Sequence, residues 1–597
     1  MAEDQTVSDY LLQRLREWGV ELVFGYPGDG INGILASFGR ADNQPRFIQA
    51  RHEEMAAFQA CGYAKFTGRV GVCTATSGPG GIHLLNGLYD AKLDHTPVVA
   101  IVGQQPRTSM GSHMQQEVDL ASLYKDVAGD YVTTVNVPQQ LPEVIDRAMR
   151  VAAARKSVTA VIVPYDVQEL AYSPPQHEFK QVLSGLGFAA GGPAPADEDL
   201  DRAATVLNDC ERVAILAGAG ARDALDELTE VAETLGAGAA KALVGYDVLP
   251  DDLPWVTGSI GLLGTKPSWE LMRNCDALLW VGSSFPYVQF LPDFDQARGV
   301  QIDTDPGMLS IRYPMEVNLL GDTRHTLRAL LPRLRRKTDR SWRQRLEREK
   351  SEWRETIERR AMTEAHPLSP LRVFHELSPK LPDNAIVTTD SGSSANWFAR
   401  YLRFRKGMRG SVSGTLATMG CGVPYAIGAK FGNPDRVVVA CVGDGAMQMN
   451  GMNELITIGR YWRSWADPRL VVLVLHNNDL NQVTWEMRAM TGIPKFEAAQ
   501  VLPDFDYAGY AELVGLKAVR MEKAADVGPG WDEALTADRP VVVDAITDPE
   551  VPPIPPHASF EQVESAAKAV LQGDPNAFRV VTQGLKEKVQ EFIPGRK

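Results

Sequence analysis

Two apolar stretches of this 597-residue chain each end in oxygen-bearing side chains. Residues 437–442 run into the sequence GDG, which contains Asp444, and residues 470–475 are followed by Asn477 and Asp479. A carboxylate at the mouth of a buried strand is costly unless a cation or hydrogen-bond donors satisfy it. If both stretches are neighbouring parallel strands, Asp444, Asn477 and Asp479 meet at one edge and offer the hard oxygen ligands that suit Mg²⁺. The alternative is that Asp444 caps the next helix and Asn477 makes a turn.

Three glycine-rich loops follow apolar stretches and could hold phosphate groups. They are TATSGPGG at 74–81, AGAGAR at 217–222 and GDGAM at 443–447. Glycine lets backbone N–H groups approach a phosphate, and the next helix presents its positive N-terminus. A tight structural turn gives the same letters, so each loop alone leaves both interpretations open.

The elements that would position these groups alternate along the whole chain. Short Val- and Ile-rich stretches separated by helix-period segments predict an α/β protein with three doubly wound parallel-sheet domains. The predicted domains are residues 1–182, 190–345 and 362–548, followed by a tail, residues 549–597. The predicted strands are residues 20–24, 70–75, 97–102, 159–164, 213–217, 277–281, 300–303, 385–389, 437–442, 470–475 and 540–545.

Two segments mark the boundaries between these domains. Residues 183–196 are rich in Gly, Pro and Ala, which is typical of a linker. Residues 335–360 mix both signs of charge, which predicts a solvated helix rather than a binding patch.

Composition excludes several classes of protein. The formal net charge is −14 and no basic stripe is present, so nucleic acid is not an expected partner. The six cysteines are scattered without the spacing of a zinc site or a disulfide framework. The N-terminus is unlike a signal peptide and no apolar run is long enough to span a bilayer, so we expect a cytoplasmic protein.

Several motifs together resemble the thiamine-diphosphate-dependent enzymes. GDG followed by a helix, and a later strand ending in NN, resemble the family's diphosphate motif. GYPGDGINGI, RHEEMAAFQACGYAKFTGRVGV and SGPGGIHLLNGLYDAKLDHTPVVAIVGQ resemble its pyrimidine-binding domain. The resemblance covers nearly the whole chain and is closest to the pyruvate oxidase branch, with acetolactate synthase a near relative. It implies that the first domain binds the pyrimidine and the third binds the diphosphate and magnesium.

The resemblance also implies roles for particular residues. Thiamine catalysis needs a carbanion at C2, which the cofactor's own amino group generates once a carboxylic acid bonds N1′ of the pyrimidine. The resemblance places that acid at Glu53, and the apolar residues after Glu54 favour its burial. It places Met419 under the bend of the cofactor. The other implied thiamine-diphosphate-binding residues are Pro27, Gly28, Pro79, Asn86, Ser393, Ser394, Gly443, Gly445, Ala446 and Met447.

The middle third resembles the FAD-binding domain of pyruvate oxidases, on the segments LAGAGAR, TGSIGLLG, GSSFPYVQFLP and VQIDTDP. The implied FAD-binding residues are Gly218, Arg222, Ser284, Phe285, Asp303 and Asp322. The implied substrate pocket contains His83, Gln116, Val483 and Glu486.

The resulting hypothesis is an enzyme that uses thiamine diphosphate, Mg²⁺ and FAD to decarboxylate a 2-keto acid such as pyruvate, with electron transfer to the flavin. A carboligase of the acetolactate synthase type, with a flavin that has no redox role, stays open. A nicotinamide-dependent dehydrogenase, suggested by the loop at Gly218, explains neither GDG…NN nor RHEE. Intact Glu53, Asp444 and Asn477 argue against a non-catalytic homologue. The resemblance implies a dimer or tetramer with active sites at subunit interfaces.

The tail carries a separate pattern. Phe578, Val581, Leu585, Val589 and Phe592 recur at helical spacing, and basic residues lie nearby. Glu587 and Glu591 dilute the basic face that an interfacial helix needs. We therefore expect the tail to pack on the protein, with membrane contact at most transient.

Overall fold

Three parallel sheets of six strands each organise the chain, and the predicted α/β fold is confirmed. The structure is a computed structural model that describes residues 5–189, 192–553 and 560–592. The first sheet contains β1 Leu22–Gly25, β2 Arg46–Gln49, β3 Gly71–Ala75, β4 Val98–Gln104, β5 Val132–Thr134 and β6 Val158–Pro164. The central sheet contains β7 Val213–Ala217, β8 Gly238–Lys241, β9 Val256–Ser259, β10 Ala277–Val281, β11 Arg298–Asp303 and β12 Val317–Leu320. The third contains β13 Ile386–Thr389, β14 Arg409–Ser411, β15 Val438–Gly443, β16 Leu470–His476, β17 Lys517–Met521 and β18 Val541–Ile546.

Helices connect the strands, and residues 341–360 of the charged run form part of one of them, whereas residues 335–340 precede it. The first helices are α1 Val7–Glu17, α2 Asn32–Arg40, α3 Glu53–Thr67, α4 Pro79–His83, α5 Leu85–Leu93, α6 Leu120–Leu123, α7 Leu141–Arg155 and α8 Tyr165–Gln168. The next are α9 Asp197–Asp209, α10 Leu225–Leu235, α11 Lys266–Asn274, α12 Thr323–Leu330 and α13 Ser341–Ala361. The remainder are α14 Pro370–Leu377, α15 Ser393–Tyr401, α16 Gly422–Gly432, α17 Asp444–Ala446, α18 Met452–Tyr461, α19 Asn481–Glu486, α20 Glu497–Gln500, α21 Tyr507–Leu513, α22 Ala524–Leu535, α23 Phe560–Leu571 and α24 Ala577–Phe592.

The order of the strands decides where ligands can bind. The first sheet has the order β2-β1-β3-β4-β6-β5, and the third has the equivalent order β14-β13-β15-β16-β18-β17. The central sheet has the order β12-β11-β10-β7-β8-β9, which is that of dinucleotide-binding sheets. The order reverses between β1 and β3, between β7 and β10, and between β13 and β15. Crevices at the carboxyl ends of the strands form at such reversals, and ligands bind there.

By contacts between residues the chain divides into two units. One comprises Met1–Ala190, Ser413–Arg436 and Met449–Pro468, and the other comprises Gly191–Val412, Val437–Gln448 and Arg469–Lys597. The first unit therefore holds the first sheet together with α16 and α18, and the second holds the other two sheets. The predicted domain boundaries stay predictions.

Helices α3 and α16 approach each other closely within the first unit. A Cβ atom on Gly62 would lie 2.7 Å from the Cα atom of Tyr425, and one on Gly428 would lie 2.2 Å from the carbonyl oxygen of Gln59. Both contacts are with backbone atoms, so only glycine permits this crossing. The crossing fixes the helix whose first residue is Glu53.

The tail forms α24, but the predicted apolar stripe does not face the protein. Phe578 is 84% exposed and Val581 is 45% exposed, whereas Val580 and Gln583 are buried. The tail therefore packs on the protein as expected, but through a face other than the described part of the apolar stripe. The side chains of the other stripe residues lie outside the described part of the chain; they are Leu585, Val589 and Phe592.

Polar contacts explain this phase of the tail. Arg579 on α24 donates to Oδ1 of Asp548 over 2.7 Å. Just before α24, Asp574 accepts two hydrogen bonds from Arg488, whose side chain also pairs with Glu550. None of the described helices has a stretch long and apolar enough to cross a membrane.

Candidate active site

The carboxyl edge of the third sheet brings Asp444 against the residues that follow β16. Strands β15 and β16 pair in register up to Gly443 opposite Leu475, and Asp444 is the next residue, 2% exposed. Its Oδ2 atom accepts hydrogen bonds from the backbone N–H groups of Asn477, over 2.7 Å, and Asn478, over 2.6 Å. Burial raises the pKa of Asp444 to about 6, and these backbone donors act in the opposite direction.

The side chains after β16 are engaged by their neighbours. Oδ1 of Asn477 accepts from the backbone N–H of Asp479 over 3.0 Å, which is the geometry of a turn. Asp479 is buried and forms an ion pair of 2.9 Å with Lys495. Asn478, which the sequence analysis did not select, has a left-handed backbone with φ of 54° and places Oδ1 2.9 Å from Nε2 of His476.

This donor set fits a magnesium ion centred on Asp444. In the described part of the chain no lysine or arginine forms an ion pair with that carboxylate, so a buried negative charge has only N–H donors and the partial charge of His476 nearby. A hard divalent cation, which prefers oxygen ligands, would compensate this negative charge. The assignment of Asn477 and Asp479 as further ligands stays a prediction.

A cradle for a diphosphate lies at the reversal point of the same sheet. Gly392 follows β13 and Gly443 is the last residue of the adjacent strand β15, and a Cβ atom built on either would meet nothing within 4 Å. Gly392 has φ of 112°, a conformation that L side chains rarely adopt. The open space beside both backbones fits the close approach of phosphate oxygens.

The residues predicted to hold the diphosphate surround these two glycines. Ser393 begins α15, and its hydroxyl donates to Oδ1 of Asn481 over 2.8 Å. The hydroxyl of Ser394 donates to the carbonyl of Asp390 over 3.0 Å. On the other side, a single buried run follows Gly443; it contains Gly445, Ala446 and Met447.

In the first unit, Glu53 lies at the N-terminus of α3 and is 7% exposed. Its Oε2 atom is 3.0 Å from Nδ1 of His83, so the structure brings these two predicted residues together. The ring of His52, which caps α3, lies 4.4 Å from the ring of His83 between centroids. His52 was missed by the sequence analysis although it lies inside RHEE, because a capping residue and a site residue look alike there.

The loops after β1 and β3 meet at the reversal point of the first sheet. A Cβ atom on Gly28 would lie 2.5 Å from Cβ of Thr76, so this close approach requires glycine. Ser77 donates to Oε1 of Gln116 over 3.3 Å. Two more predicted residues flank this meeting point; Pro27 precedes Gly28 and Pro79 begins α4.

The loop that carries Met419 is fastened to the same unit. The amide of Asn86 donates to Oε1 of Glu54 over 2.7 Å and to the hydroxyl of Thr418 over 3.1 Å. The carboxylate of Asp94 accepts from two backbone N–H groups earlier in the loop. Met419 is half-buried beside these contacts. Asp94 was missed, because a charged residue at the end of a helix gives no signal distinguishable from a solvated one.

The central sheet gathers three of its six predicted residues at its reversal point. The backbone N–H of Gly218 donates to the carbonyl of Val281 over 2.9 Å, and a Cβ atom on Gly218 would lie 2.4 Å from the carbonyl oxygen of Gly282. The glycines of this loop, which suggested a dehydrogenase, are therefore already required by packing. Ser284 and Phe285 lie two and three residues after Gly282.

The other predicted residues of this domain have partners of their own. Nε of Arg222 donates to Oδ1 of Asp247 over 2.8 Å, and Arg409 donates to the other oxygen of the same carboxylate over 2.7 Å. Asp303 ends β11 and accepts from the backbone N–H of Asp305. Asp322 caps α12. The strand order fits a dinucleotide, and because Arg222 and Arg409 share one carboxylate, a positive charge remains there for a phosphate.

The predicted pocket residues are divided between the two units. His83 and Gln116 lie in the first unit, whereas Val483 and Glu486 lie on α19 in the second. Val483 is 47% exposed, and Glu486 accepts from the amide of Gln482 over 2.9 Å.

Comparison with protein families gives three matches in chain order. Residues 5–123 match the thiamine pyrophosphate enzyme N-terminal TPP binding domain. Residues 200–330 match the central domain of these enzymes, and residues 390–545 match their C-terminal TPP binding domain.

Individual relatives align along nearly their full length. A putative thiamine pyrophosphate-containing protein of Bacillus subtilis, YdaP, is 35% identical over 95% of this chain and 96% of its own. A pyruvate oxidase of Lactiplantibacillus plantarum is 31% identical over 90% of this chain and 87% of its own. A probable acetolactate synthase large subunit of Methanocaldococcus jannaschii is 30% identical over 92% of this chain and 93% of its own.

Proposed function

The chain belongs to the thiamine pyrophosphate enzyme family that includes pyruvate oxidase and acetolactate synthase, and we propose that it decarboxylates a 2-keto acid, pyruvate first, with electron transfer to a bound flavin. The observation that carries the flavin half of this proposal is the dinucleotide-type strand order of the central sheet, with Gly218 and Phe285 at its reversal point. The 31% identity to a pyruvate oxidase supports the choice of substrate.

Thiamine diphosphate, when bound, supplies the nucleophile and electron sink for cleavage of the bond between the carboxylate and the keto carbon. Asp444 would hold the magnesium ion, and the N–H groups beside Gly392 and Gly443 would face the phosphates. Glu53 would hold a proton towards the pyrimidine ring. Its burial excludes water from that hydrogen bond, and His83, 3.0 Å away, can exchange a proton with it.

The role of Glu53 is tested by Glu53→Gln, which keeps the shape of the side chain but removes the ionisable group. We expect the variant to bind thiamine diphosphate and to lose C2 proton exchange by about 100-fold or more. Glu54→Gln is the matched control, since Glu54 is adjacent but accepts from Asn86 instead. Exchange that is unchanged in Glu53→Gln, or lost equally in both variants, would remove Glu53 from this role.

The reaction is tested by an anaerobic absorption spectrum of the purified protein with pyruvate. Bleaching of a flavin band is the result expected for the oxidase. The acetolactate synthase relative makes a carboligase the second candidate, and formation of acetolactate with an unchanged flavin band would favour it. A protein that purifies without flavin would refute the electron-transfer half of the proposal and leave decarboxylation to be measured by carbon dioxide release.

Self-association belongs to the same proposal. We expect a dimer or tetramer in the cytoplasm with active sites at subunit interfaces, as the resemblance implies. Light scattering of the purified protein tests this, and a monomer that remains fully active would contradict it.

A further inference from the structure

A cavity of about 480 Å³ lies in the second unit, away from the carboxyl edge of the third sheet. Its walls come from one side of α13, from α14 and the loop before β13, from the end of α15 and the loop before β14, and from the loop before β9. Loops that precede parallel strands lie at the amino edge of a sheet, opposite the edge that holds Asp444. The charged side chains in the wall are Asp252, Arg354, Glu358, His375, Arg403 and Arg405.

The three arginines of this wall are satisfied to different degrees. Arg405 forms an ion pair of 2.5 Å with Asp383 and donates to the carbonyl of Ser378. Arg354 is half-buried and donates to the carbonyl of Asp251, without a carboxylate partner in the described part of the chain. The guanidinium of Arg403 has neither a hydrogen bond nor an ion pair among the described residues.

The buried carboxylate of Asp251, beside these arginines, already has other partners. Oδ1 of Asp251 pairs with Lys241 over 2.7 Å, and its Oδ2 accepts from the backbone N–H of Phe404 over 2.8 Å. Burial lowers the pKa of Arg354, and the charge of Arg403 lowers it further. Burial and then the charge of Arg354 lower the pKa of Lys350 to about 7. The carboxylates of Asp252 and Glu358 also line the wall, so the positive potential is local to Arg354 and Arg403, whose charges oppose one another.

We propose that this cavity binds a small phosphate-bearing anion at a site separate from the diphosphate of the cofactor. A phosphate group accepts the paired N–H donors of a guanidinium, and Arg354 and Arg403 can both present them. His375, half-buried in the same wall, adds a ring N–H donor. The volume is that of a small-molecule site and exceeds what a bare phosphate fills, so a phosphorylated metabolite suits it better than the inorganic ion.

The experiment is a calorimetric titration of the full-length protein saturated with thiamine diphosphate and Mg²⁺, so that the diphosphate site is filled. The probes are inorganic phosphate, pyrophosphate and ribose 5-phosphate, against sodium chloride at equal ionic strength. We expect one site per chain, with ribose 5-phosphate bound more tightly than phosphate. If phosphate binds and ribose 5-phosphate does not, the anion site is supported and its ligand is inorganic phosphate rather than a phosphorylated metabolite.

Paired variants locate the site. Arg403→Ala and Arg354→Ala are each expected to weaken binding by about tenfold, which is 1.4 kcal/mol. The matched controls are Lys406→Ala in the same loop and Arg348→Ala on the same helix, both exposed. Arg403 is exposed, so its variant tests the site even if Arg354→Ala fails to fold, and it should leave the basal activity unchanged. No binding, binding displaced by thiamine diphosphate, or equal losses in variants and controls would overturn the proposal.

Discussion

Replacing Asp94 by asparagine tests how the loop that carries Met419 is held. The side chain of Asp94 is fully buried, and its Oδ2 atom lies 2.7 Å from Nζ of Lys65, which is 3% exposed. The same carboxylate accepts from the backbone N–H of Gly414, over 2.9 Å, and of Thr415, over 2.8 Å. One buried charge therefore joins a lysine of α3 to the start of the loop.

The expected loss of stability follows from the burial of this pair. Burial lowers the pKa of Lys65, but the charges of Asp94 and Asp90 act against it, and the net pKa is raised. Removing one partner of a buried ion pair typically costs 3–5 kcal/mol, so we expect Asp94→Asn to lower the free energy of unfolding by about 3 kcal/mol. Asparagine has only one acceptor oxygen, so it cannot replace the carboxylate as acceptor for both loop N–H groups and the lysine.

Lys65→Met and the double variant separate stability from positioning. We expect each single variant to be destabilised, and the double variant to recover part of the loss because neither charge is left without the other. C2 proton exchange on bound thiamine diphosphate should slow by about tenfold in Asp94→Asn and in the double variant, which is 1.4 kcal/mol, but not in Lys65→Met. If exchange slows equally in Lys65→Met, it follows stability, and the positioning argument is refuted.

Three further outcomes test separate features. Gly428→Ala should lower the thermal midpoint through a clash worth about 1–3 kcal/mol with the backbone of Gln59. The control Gly39→Ala has open space around it and should be neutral or stabilising. Equal effects of the two variants would contradict the close crossing. Burial raises the pKa of Glu454 to about 7, so the folded protein keeps a proton that the unfolded chain releases near pH 4.5, and stability falls as pH rises between these values. Glu454→Gln should remove about 3 kcal/mol of this pH-dependent loss of unfolding free energy. Calorimetry would then show a thermal midpoint that changes less between pH 4.5 and 7 than that of the unsubstituted protein. An unchanged dependence of the midpoint on pH would assign the loss to other groups. Asp444→Ala should abolish Mg²⁺-dependent thiamine diphosphate binding in calorimetry, and undiminished affinity would return Asp444 to helix capping.

The sequence predicted the interior strands and missed the edges. All eleven predicted strands exist in the structure, because strands covered on both faces are continuous apolar runs. Among the described residues, six of the strands it missed are the edges of the three sheets. In five of them half-exposed residues break the apolar pattern, whereas β9 is fully buried but its sequence VTGS is short and mostly polar or small. The seventh is β8, whose sequence GAAK gives no strand signal although it is buried.

Site residues inside contiguous motifs were accessible to sequence reasoning, whereas residues that act through distant contacts were not. Glu53 and Asp444 each belong to a short motif, so neighbouring letters identify them. Glu454 bonds Gln59 in α3, 395 positions earlier, and nothing near it in the sequence announces that contact. The face of α24 that contacts the protein was missed for a related reason, because Arg579 binds Asp548, which is distant in sequence, and this contact outweighs the apolar stripe.

The shared strand order of the first and third sheets has an evolutionary reading. Helix α3 follows the second strand of its sheet, and α16 follows β14, the equivalent strand of the other. These two corresponding helices are the ones that cross through Gly62 and Gly428. In a symmetric homodimer, the same element of each subunit packs against its counterpart in the other. Gene duplication and fusion of a small self-associating ancestor would leave this arrangement, with the old dimer contact preserved inside one polypeptide.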